Sequence, residues 1–548
     1  HAVVAHWASR TPDALALINH DRGREVTWRY FDEASTALAR QLVRMGFRKG
    51  DFLAASLPFL TEHVFLEYAC FKIGVIHAPL DLRLPPAEVI RCLEMIRPRG
   101  YTFPGSTRAA DFRELGRAVA RHCPYVANLI QVSPTDELIE GAECYYTLGE
   151  GREPVGLDEE YRAMNAAVGE NDGALVIFTT GSTGAPKPAL LSHRNITCQN
   201  FCLAPAFGFS ADTRVLVNLP PSHVGGQTEE LMTTLFCGGT AVLLEIFDAA
   251  RSLDAVSRHR VNLVGQIPAM FNFEWRLTDY GSRDLSSLRS AIYGGQQVSR
   301  PFLEKLAAMA PHIGTGLGLT ETAGFCTYTL PGAGVEEILD GLGHAMPVYP
   351  MSIRQPMRED GAAGEELPDG ELGQVCFRGP QTFLGYVNDP VSTARTISSD
   401  GWLYTGDMGF RDSRGLHFAG RAKWVIKPAG YQVFPAEVEN HLCALEDKVQ
   451  TAGVVGMPHA LLSEGIVAFI EKKPGAEIQP AELKQHARGM ASWMRPLHYV
   501  LLEPGAMPLN RAAKVDYVRL EEMARAEVAR LREGRRWDGR ESAAAENE

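Results

Sequence analysis

The sequence predicts an α/β protein with more than one domain, on three observations. Residues 1 to about 170 alternate helix-period and strand-like runs, which predicts a largely parallel sheet covered by helices. At 548 residues the chain is too long for one compact core, so at least two domains are expected. Further on, apolar residues alternate around Val375 and Phe377, the period of a half-buried strand, and mark a β-rich subdomain.

The elements follow in order. Residues 31–45 place Ala34, Leu38, Leu42 and Met45 on one helical face, and Gly50 and Asp51 break the pattern. Residues 52–57 read as a strand, 63–73 as a helix and 75–79 as a strand again. Residues 174–178 form a short apolar run typical of a buried strand, and 189–191 form another before Ser192, a helix N-cap. Strands are expected over 215–219 and 288–293. Near the end, a helix opens at Pro435 and strands are expected over 452–455 and 466–471. Beyond about Ala529 the charged, small-residue-rich sequence predicts a frayed helix or a disordered tail.

Composition narrows the function. A formal net charge of −12 and a pI near 5.8 lack the basic footprint of a nucleic-acid binder. The ten cysteines include no C-x-x-C pair, which reads as reduced thiols in a cytoplasmic protein. Cys198 and Cys202, one helical turn apart, read as two small buried side chains ahead of a zinc pair. No run of eighteen apolar residues and no secretory pattern occurs, so no membrane partner is expected.

Chemistry concentrates at residues 177–187, Ile-Phe-Thr-Thr-Gly-Ser-Thr-Gly-Ala-Pro-Lys. Glycines let backbone N–H groups approach an anion, hydroxyls add donors and Lys187 adds a mobile positive charge. The usual nucleotide P-loop needs glycine before the lysine and Ser or Thr after it. Here Pro186 and Pro188 flank the lysine, and an apolar run follows, so the loop is expected to join strand to strand.

At these residues the chain resembles the adenylate-forming superfamily: acyl-CoA synthetases, peptide-synthetase adenylation domains and beetle luciferases. The family signature reads approximately Thr-Ser-Gly-Ser/Thr-Thr-Gly-x-Pro-Lys-Gly, with Thr180 here in place of the serine and Pro188 in place of the last glycine. The resemblance implies a nucleotide site at Thr179, Thr180, Gly181, Ser182, Thr183, Gly184 and Lys187. Further motifs follow in family order. His223 stands where the family has an aromatic or histidine that gates the carboxylate, so His223, Val224, Gly225 and Gly226 are implied to line the acyl pocket. Gly294, Gly295 and Gln296 fall in the loop beside adenine, where the family usually has Ala-Pro after the glycines. Residues 316–321 resemble Tyr-Gly-x-Thr-Glu. Gly316 and Leu317 would border the nucleotide, Thr320 would contact the α-phosphate, and Glu321 would hold Mg²⁺, a cation that prefers oxygen ligands. Residues 370–379 and Gly385-Tyr386 match a structural motif. Tyr404-Thr405-Gly406-Asp407 implies that Asp407 accepts both ribose hydroxyls, with Arg421 reaching the same sugar.

The resemblance also implies the organisation. A large N-terminal domain over 1–420, of layered α/β subdomains with a small β-barrel-like subdomain, precedes a hinge over 421–428 centred on Lys423. A small, mobile α+β C-terminal domain over 429–530 would carry Lys514, the adenylation lysine, and Gly430 and Tyr431 of a CoA tunnel. A polar tail over 531–548 holds no carrier-protein serine motif, which favours a free-standing ligase over a peptide-synthetase module. Lys514, Thr320, Glu321 and His223 form the implied catalytic set. Substrates would be ATP, a carboxylic acid and coenzyme A, joined through an acyl-AMP intermediate; a homodimer stays open. Val264, Ile267, Met270 and Phe271 predict an apolar pocket, and Gly225, Gly226, Gly294 and Gly295 suggest room for a bulky acid. Delivery to an amine or a separate carrier protein is the alternative. Leu317, Pro188, Trp424 and Pro428 depart from the family in parts that bind ATP or let the hinge swing, and predict a weakened adenylation half-reaction against ordinary drift in a competent ligase.

Overall fold

The structure is a computed structural model that describes residues 1–107, 110–148, 156–180, 186–510 and 514–538. Two large sheets organise the N-terminal part. One has eight strands in the spatial order Gly385–Tyr386, Pro186–Ser192, Gly173–Thr180, Ile76–Pro79, Phe52–Ala55, Gly100–Pro104, Asn128–Val132, Ala142–Cys144. Its strands from Gly173–Thr180 through Ala142–Cys144 run parallel, as the strand–helix alternation predicts. The second sheet has seven strands, ordered His312–Gly314, Ser290–Tyr293, Leu263–Gln266, Arg214–Val217, Thr240–Leu243, Leu15–Asn19, Arg24–Thr27. It is parallel except for the terminal hairpin. Leu53, Leu175 and Leu191 of the first sheet share one core with Leu17, Val215 and Ala241 of the second.

Local chemistry accounts for the helices between them. Thr27 caps Trp28–Arg44 by accepting the N–H of Tyr30, and Phe31, Leu38 and Leu42 are buried on one face. Helix Thr61–Ile73 is buried along its whole length, His63, Glu67 and Lys72 included, so it is an interior helix. Ser192 caps His193–Phe207 in a reciprocal box with Asn195. Strands Gly173–Thr180 and Pro186–Ser192 pair antiparallel, ending on Thr179 opposite Lys187 and Thr180 opposite Pro186. The phosphate-type loop therefore joins strand to strand.

A third, four-stranded antiparallel sheet follows, ordered Met351–Arg354, Gly373–Phe377, Leu403–Asp412, Gly415–Arg421. Strands Val449–His459 and Ser463–Lys472 pair antiparallel, and His498–Leu502 adds parallel to the second. Helices Pro435–Cys443, Pro480–Ala487 and Tyr517–Glu533 complete this C-terminal unit. The expectation of a frayed or disordered polar tail from 531 is corrected here. The last helix runs to Glu533, and Trp537 is buried, donating its indole N–H to the Pro458 carbonyl while its own carbonyl meets His459. One large aromatic ring anchors a segment that composition alone marks as polar. Residues 539–548 lie outside the described residues. No helix of the described residues is long and apolar enough to cross a membrane.

Candidate active site

A cavity of about 800 Å³ opens between the two large sheets, the antiparallel sheet and the C-terminal unit. Its lining brings together residues far apart in sequence: Thr179 and Lys187, His223, Gly294 and Gly295, Thr320 and Glu321, Arg421 and Lys423, and Lys514.

On one side the charged groups are already held. Glu321 sits in the single 3-10 turn Thr320–Thr322. The Thr322 hydroxyl bonds the Leu319 and Gly324 carbonyls and locks that turn. The Tyr386 hydroxyl donates to Glu321 Oε1 at 2.6 Å, and burial together with the Glu321 charge pushes that phenol up, so it stays a donor. Lys187 Nζ stands 5.1 Å over the ring of Tyr386. Tyr386, read from sequence only as part of a structural motif, thus links the lysine to the carboxylate. No local signal identified it, because its strand reaches the site only by pairing with Ala189 and Leu190.

Asp407 and Arg421 face each other across neighbouring strands, and Arg421 Nε lies 2.8 Å from Asp407 Oδ1. Asp407 is buried, and neither of its oxygens accepts a well-formed hydrogen bond among the described residues. Burial raises the Asp407 carboxyl, against the lowering effect of Arg421 and Lys514. A buried carboxylate with open lone pairs suits a ligand that brings hydroxyl donors.

Lys514 enters from the C-terminal unit. Its N–H bonds Asn510 Oδ1 at 3.1 Å, and its carbonyl accepts the Asn510 N–H at 2.7 Å, which ties the strand-like turn around it. Gly295 lies beside it: its φ of +97° favours glycine, and a Cβ there would stand 3.6 Å from Lys514 Nζ, in ordinary contact. Burial and the Arg421 charge lower the Lys514 amine while Asp407 raises it. His223 receives the Gly225 N–H on Nδ1 at 3.0 Å, which puts the ring proton on Nε2. Surrounding protein and the charge of Lys514 push the imidazole down to about 4, so it is a neutral donor facing the cavity.

Not every implied residue reaches the cavity. Val224 and Gly225 line it with His223, whereas Gly226, Gln296, Gly316 and Leu317 are not in its lining, and Asp407 lies buried behind Gly406 and Arg421, which are. Leu317 packs against the hydrophobic cluster that contains Phe325. Thr180 contributes its backbone to the strand pair, while its side chain and Gly181, Ser182, Thr183 and Gly184 lie outside the described residues. Gly430 and Tyr431 are also away from the cavity, with Tyr431 exposed and stacked on Trp493 at 4.4 Å. Lys423 lines it, its Nζ 4.6 Å from the Trp424 ring centroid, and Trp424 stacks on Tyr517 at 5.4 Å. The acyl wall differs from expectation in detail. Ile267 and Met270 line it, but Val264 and Phe271 belong to the core behind. Asn218, Glu229, Glu230 and Gln266 line it instead, none of them marked by a sequence motif. Off the cavity, His63, Glu67 and His77 form a buried group with the two Nε2 atoms 3.4 Å apart.

The fold and this cavity define an α/β enzyme whose C-terminal unit brings a lysine into a site built on the N-terminal sheets. The chain belongs to the AMP-binding enzyme family: residues 4–387 match the AMP-binding enzyme and 437–514 its C-terminal domain. It is 29% identical over 481 residues to a feruloyl-CoA synthase of an Amycolatopsis species, covering 87% of this chain and 89% of that one. An amide bond synthetase, McbA from Marinactinospora thermotolerans, superposes with a TM-score of 0.79 at 26% identity, covering 94% of this chain and 99% of that one. ATP-bound MatB from Rhodopseudomonas palustris shares the fold with a TM-score of 0.79 at 24% identity, covering 95% and 98%.

Proposed function

We propose that this chain is an ATP-dependent acyl-CoA ligase that works through an acyl-AMP intermediate. One observation carries the reading: Lys514 of the C-terminal unit stands in the same cavity as Lys187, Glu321 and His223, beside the Asp407–Arg421 pair. That set supports attack of a carboxylate oxygen on the α-phosphorus of ATP with loss of pyrophosphate. Lys514 neutralises charge developing between the carboxylate and the α-phosphate, Lys187 meets the outer phosphates, and Asp407 accepts the ribose hydroxyls. Little covalent chemistry falls to the protein, so positioning and charge stabilisation dominate. His223 offers its Nε2–H to the carboxylate. Glu321 fits Mg²⁺, with one oxygen fixed by Tyr386 and the other free of hydrogen bonds among the described residues; the ion would neutralise phosphate charge there. In the second step the sulfur of coenzyme A attacks the acyl carbon and AMP leaves.

In this reading residues 1–420 and 429–530 are separate bodies that turn about Lys423, so that Gly430 and Tyr431 replace Lys514 at the cavity for thioester formation. Trp424 stacked on Tyr517, with Pro428 beyond it, favours the Lys514-in arrangement and a slower exchange between the two. With Leu317 packed away from the cavity, the ATP-dependent half-reaction is the weaker one. The likeness to an amide bond synthetase supports a second reading in which an amine takes the acyl group.

The test measures pyrophosphate release from free acid and ATP against CoA-ester formation from synthetic acyl-AMP. Amines are offered as rival acceptors. CoA ester as the product supports the ligase, and amide alone replaces it with the second reading. Pyrophosphate release as fast as thioester formation removes the weakened first half.

A further inference from the structure

The acyl wall holds buried oxygens that nothing among the described residues satisfies. Asn218 stands at the end of strand Arg214–Val217, Gln266 ends strand Leu263–Gln266, and Glu230 projects from the π-helical turn Gly225–Met232. All three line the cavity and are buried to 4% exposure or less. Asn218 Oδ1, Gln266 Oε1 and Glu230 Oε1 have no hydrogen-bond partner among the described residues.

The donors nearby are spent on the protein itself. Asn218 Nδ2 donates to Ser252 Oγ at 3.4 Å, Gln266 Nε2 donates to Glu274 Oε1 at 3.0 Å, and the Ser252 hydroxyl donates to the same Glu274 oxygen. The backbone N–H groups of Asn218 and Leu219 are taken by Glu230 Oε2. This network sets both amides so that their oxygens stay open. Gly265 lies beside Glu230: a Cβ at that position would stand 3.7 Å from Oε1, in van der Waals contact. Buried polar atoms are nearly always paired, and three open acceptors on one cavity wall mark a place where a ligand supplies the partner.

We propose that the acid activated in this cavity carries a hydroxyl group in addition to its carboxylate, bound by Glu230, Gln266 and Asn218. A hydroxyl both donates and accepts. That matches a wall of amide oxygens and carboxyls. Burial raises the Glu230 carboxyl well above its usual range and holds Glu274 up at about 7. No Lys or Arg pairs with Glu229, Glu230 or Glu274 among the described residues. The inference rests on the reading that this cavity holds the acyl group.

The experiment compares phenylpropanoic and cyclohexanecarboxylic acids with their para-hydroxy and para-amino derivatives. Each is offered as free acid with ATP and CoA, and each as a non-reactive acyl-sulfamoyl-adenosine whose binding is measured by calorimetry. The hydroxy compounds are expected to lead by about a hundredfold or more in kcat/KM or in Kd, because a site built for a hydroxyl rejects the analogue that lacks it. Gly265→Ala, which sets a methyl in contact with Glu230 Oε1, should shrink that ratio to under about tenfold, and so should Gln266→Met. Equal binding of hydroxylated and unsubstituted mimics overturns the inference while leaving the adenylate-forming reading intact. A lead for the amino compounds overturns it as well. If no mimic binds, the adenylate-forming reading fails, and the inference with it.

Discussion

The two sides of one cavity are built differently. On the side proposed for the nucleotide three charged groups face a protein partner before any ligand arrives: Arg421 beside Asp407, Tyr386 for Glu321, the aromatic face of Tyr386 for Lys187. On the side proposed for the acyl group Glu230, Gln266 and Asn218 each keep an unpaired oxygen, and Glu229 accepts only the Phe325 N–H, at 2.7 Å, among the described residues. A nucleotide brings dense, invariant charge, so its site is preorganised by opposite charge and by rigid turns. An acyl group brings shape and a few polar atoms, and its site leaves complementary valences open.

The sharpest way to break this comparison is at Lys514. Lys514→Ala should cost about 10²–10³ in acyl-AMP formation, the usual price of losing one transition-state donor. Thioester formation from supplied acyl-AMP should persist. Loss of both half-reactions to the same degree would remove Lys514 from the nucleotide side altogether.

Asp407→Ala comes next. It removes a charged acceptor and leaves Arg421 unpaired at the cavity. A hydrogen bond to a charged group is worth about 1.5–3 kcal/mol, so ATP should bind roughly 10- to 100-fold more weakly. Binding of the free acid, measured alone by calorimetry, should be unchanged; a matching loss there would merge the two sides.

A smaller effect distinguishes them by pH. Burial pushes the Glu229 carboxyl up to about 7 from the usual 4.5, opposed by the Phe325 N–H. The folded state therefore holds a proton that the unfolded chain has released. That contribution to stability is complete below the unfolded value and is lost as the pH rises through about 7. Glu229→Gln should flatten the fall in melting temperature between about pH 4.5 and 7 and should also flatten any rise in the acid's KM around pH 7. An unchanged slope in the variant would show that Glu229 is ionised throughout.

Leu317→Tyr should have the least effect. Aromatic stacking on a base is worth roughly 1–3 kcal/mol where the ring meets it. Leu317 packs toward Phe325 and is outside the cavity lining, so a gain in the KM for ATP of less than about fivefold is expected. A larger gain would show that this loop does border the nucleotide and would strengthen the case for a weakened first half-reaction.

Most of the nucleotide side was legible in the sequence because its parts are contiguous. Thr320-Glu321, Tyr404-Thr405-Gly406-Asp407 and Pro186-Lys187 each place their chemistry within one turn or strand end, where local backbone geometry decides direction. The parallel sheets were legible for the same reason, since strand and helix periods are local. The capping residues Thr27 and Ser192 lie beside the helices they start.

By itself, then, the sequence determined the α/β class, the order of the elements, the strand-to-strand phosphate loop and the identity of the charged residues. Only the tertiary structure decided which of them meet. Tyr386 reaches Glu321 because its two-residue strand adds to the edge of the first sheet beside Ala189 and Leu190. Asp407 meets Arg421 through strand register, and Lys514 reaches Gly295 through the docking of the C-terminal unit. Asn218, Glu230 and Gln266 converge because parallel strands Arg214–Val217 and Leu263–Gln266 end at the same edge, with the π-helical turn laid across them. Trp537, in a charged and polar stretch, turns into the core because the Pro458 carbonyl accepts its indole N–H and His459 meets its backbone carbonyl. Such convergence depends on pairing over long sequence separations, which neither periodicity nor a contiguous motif records.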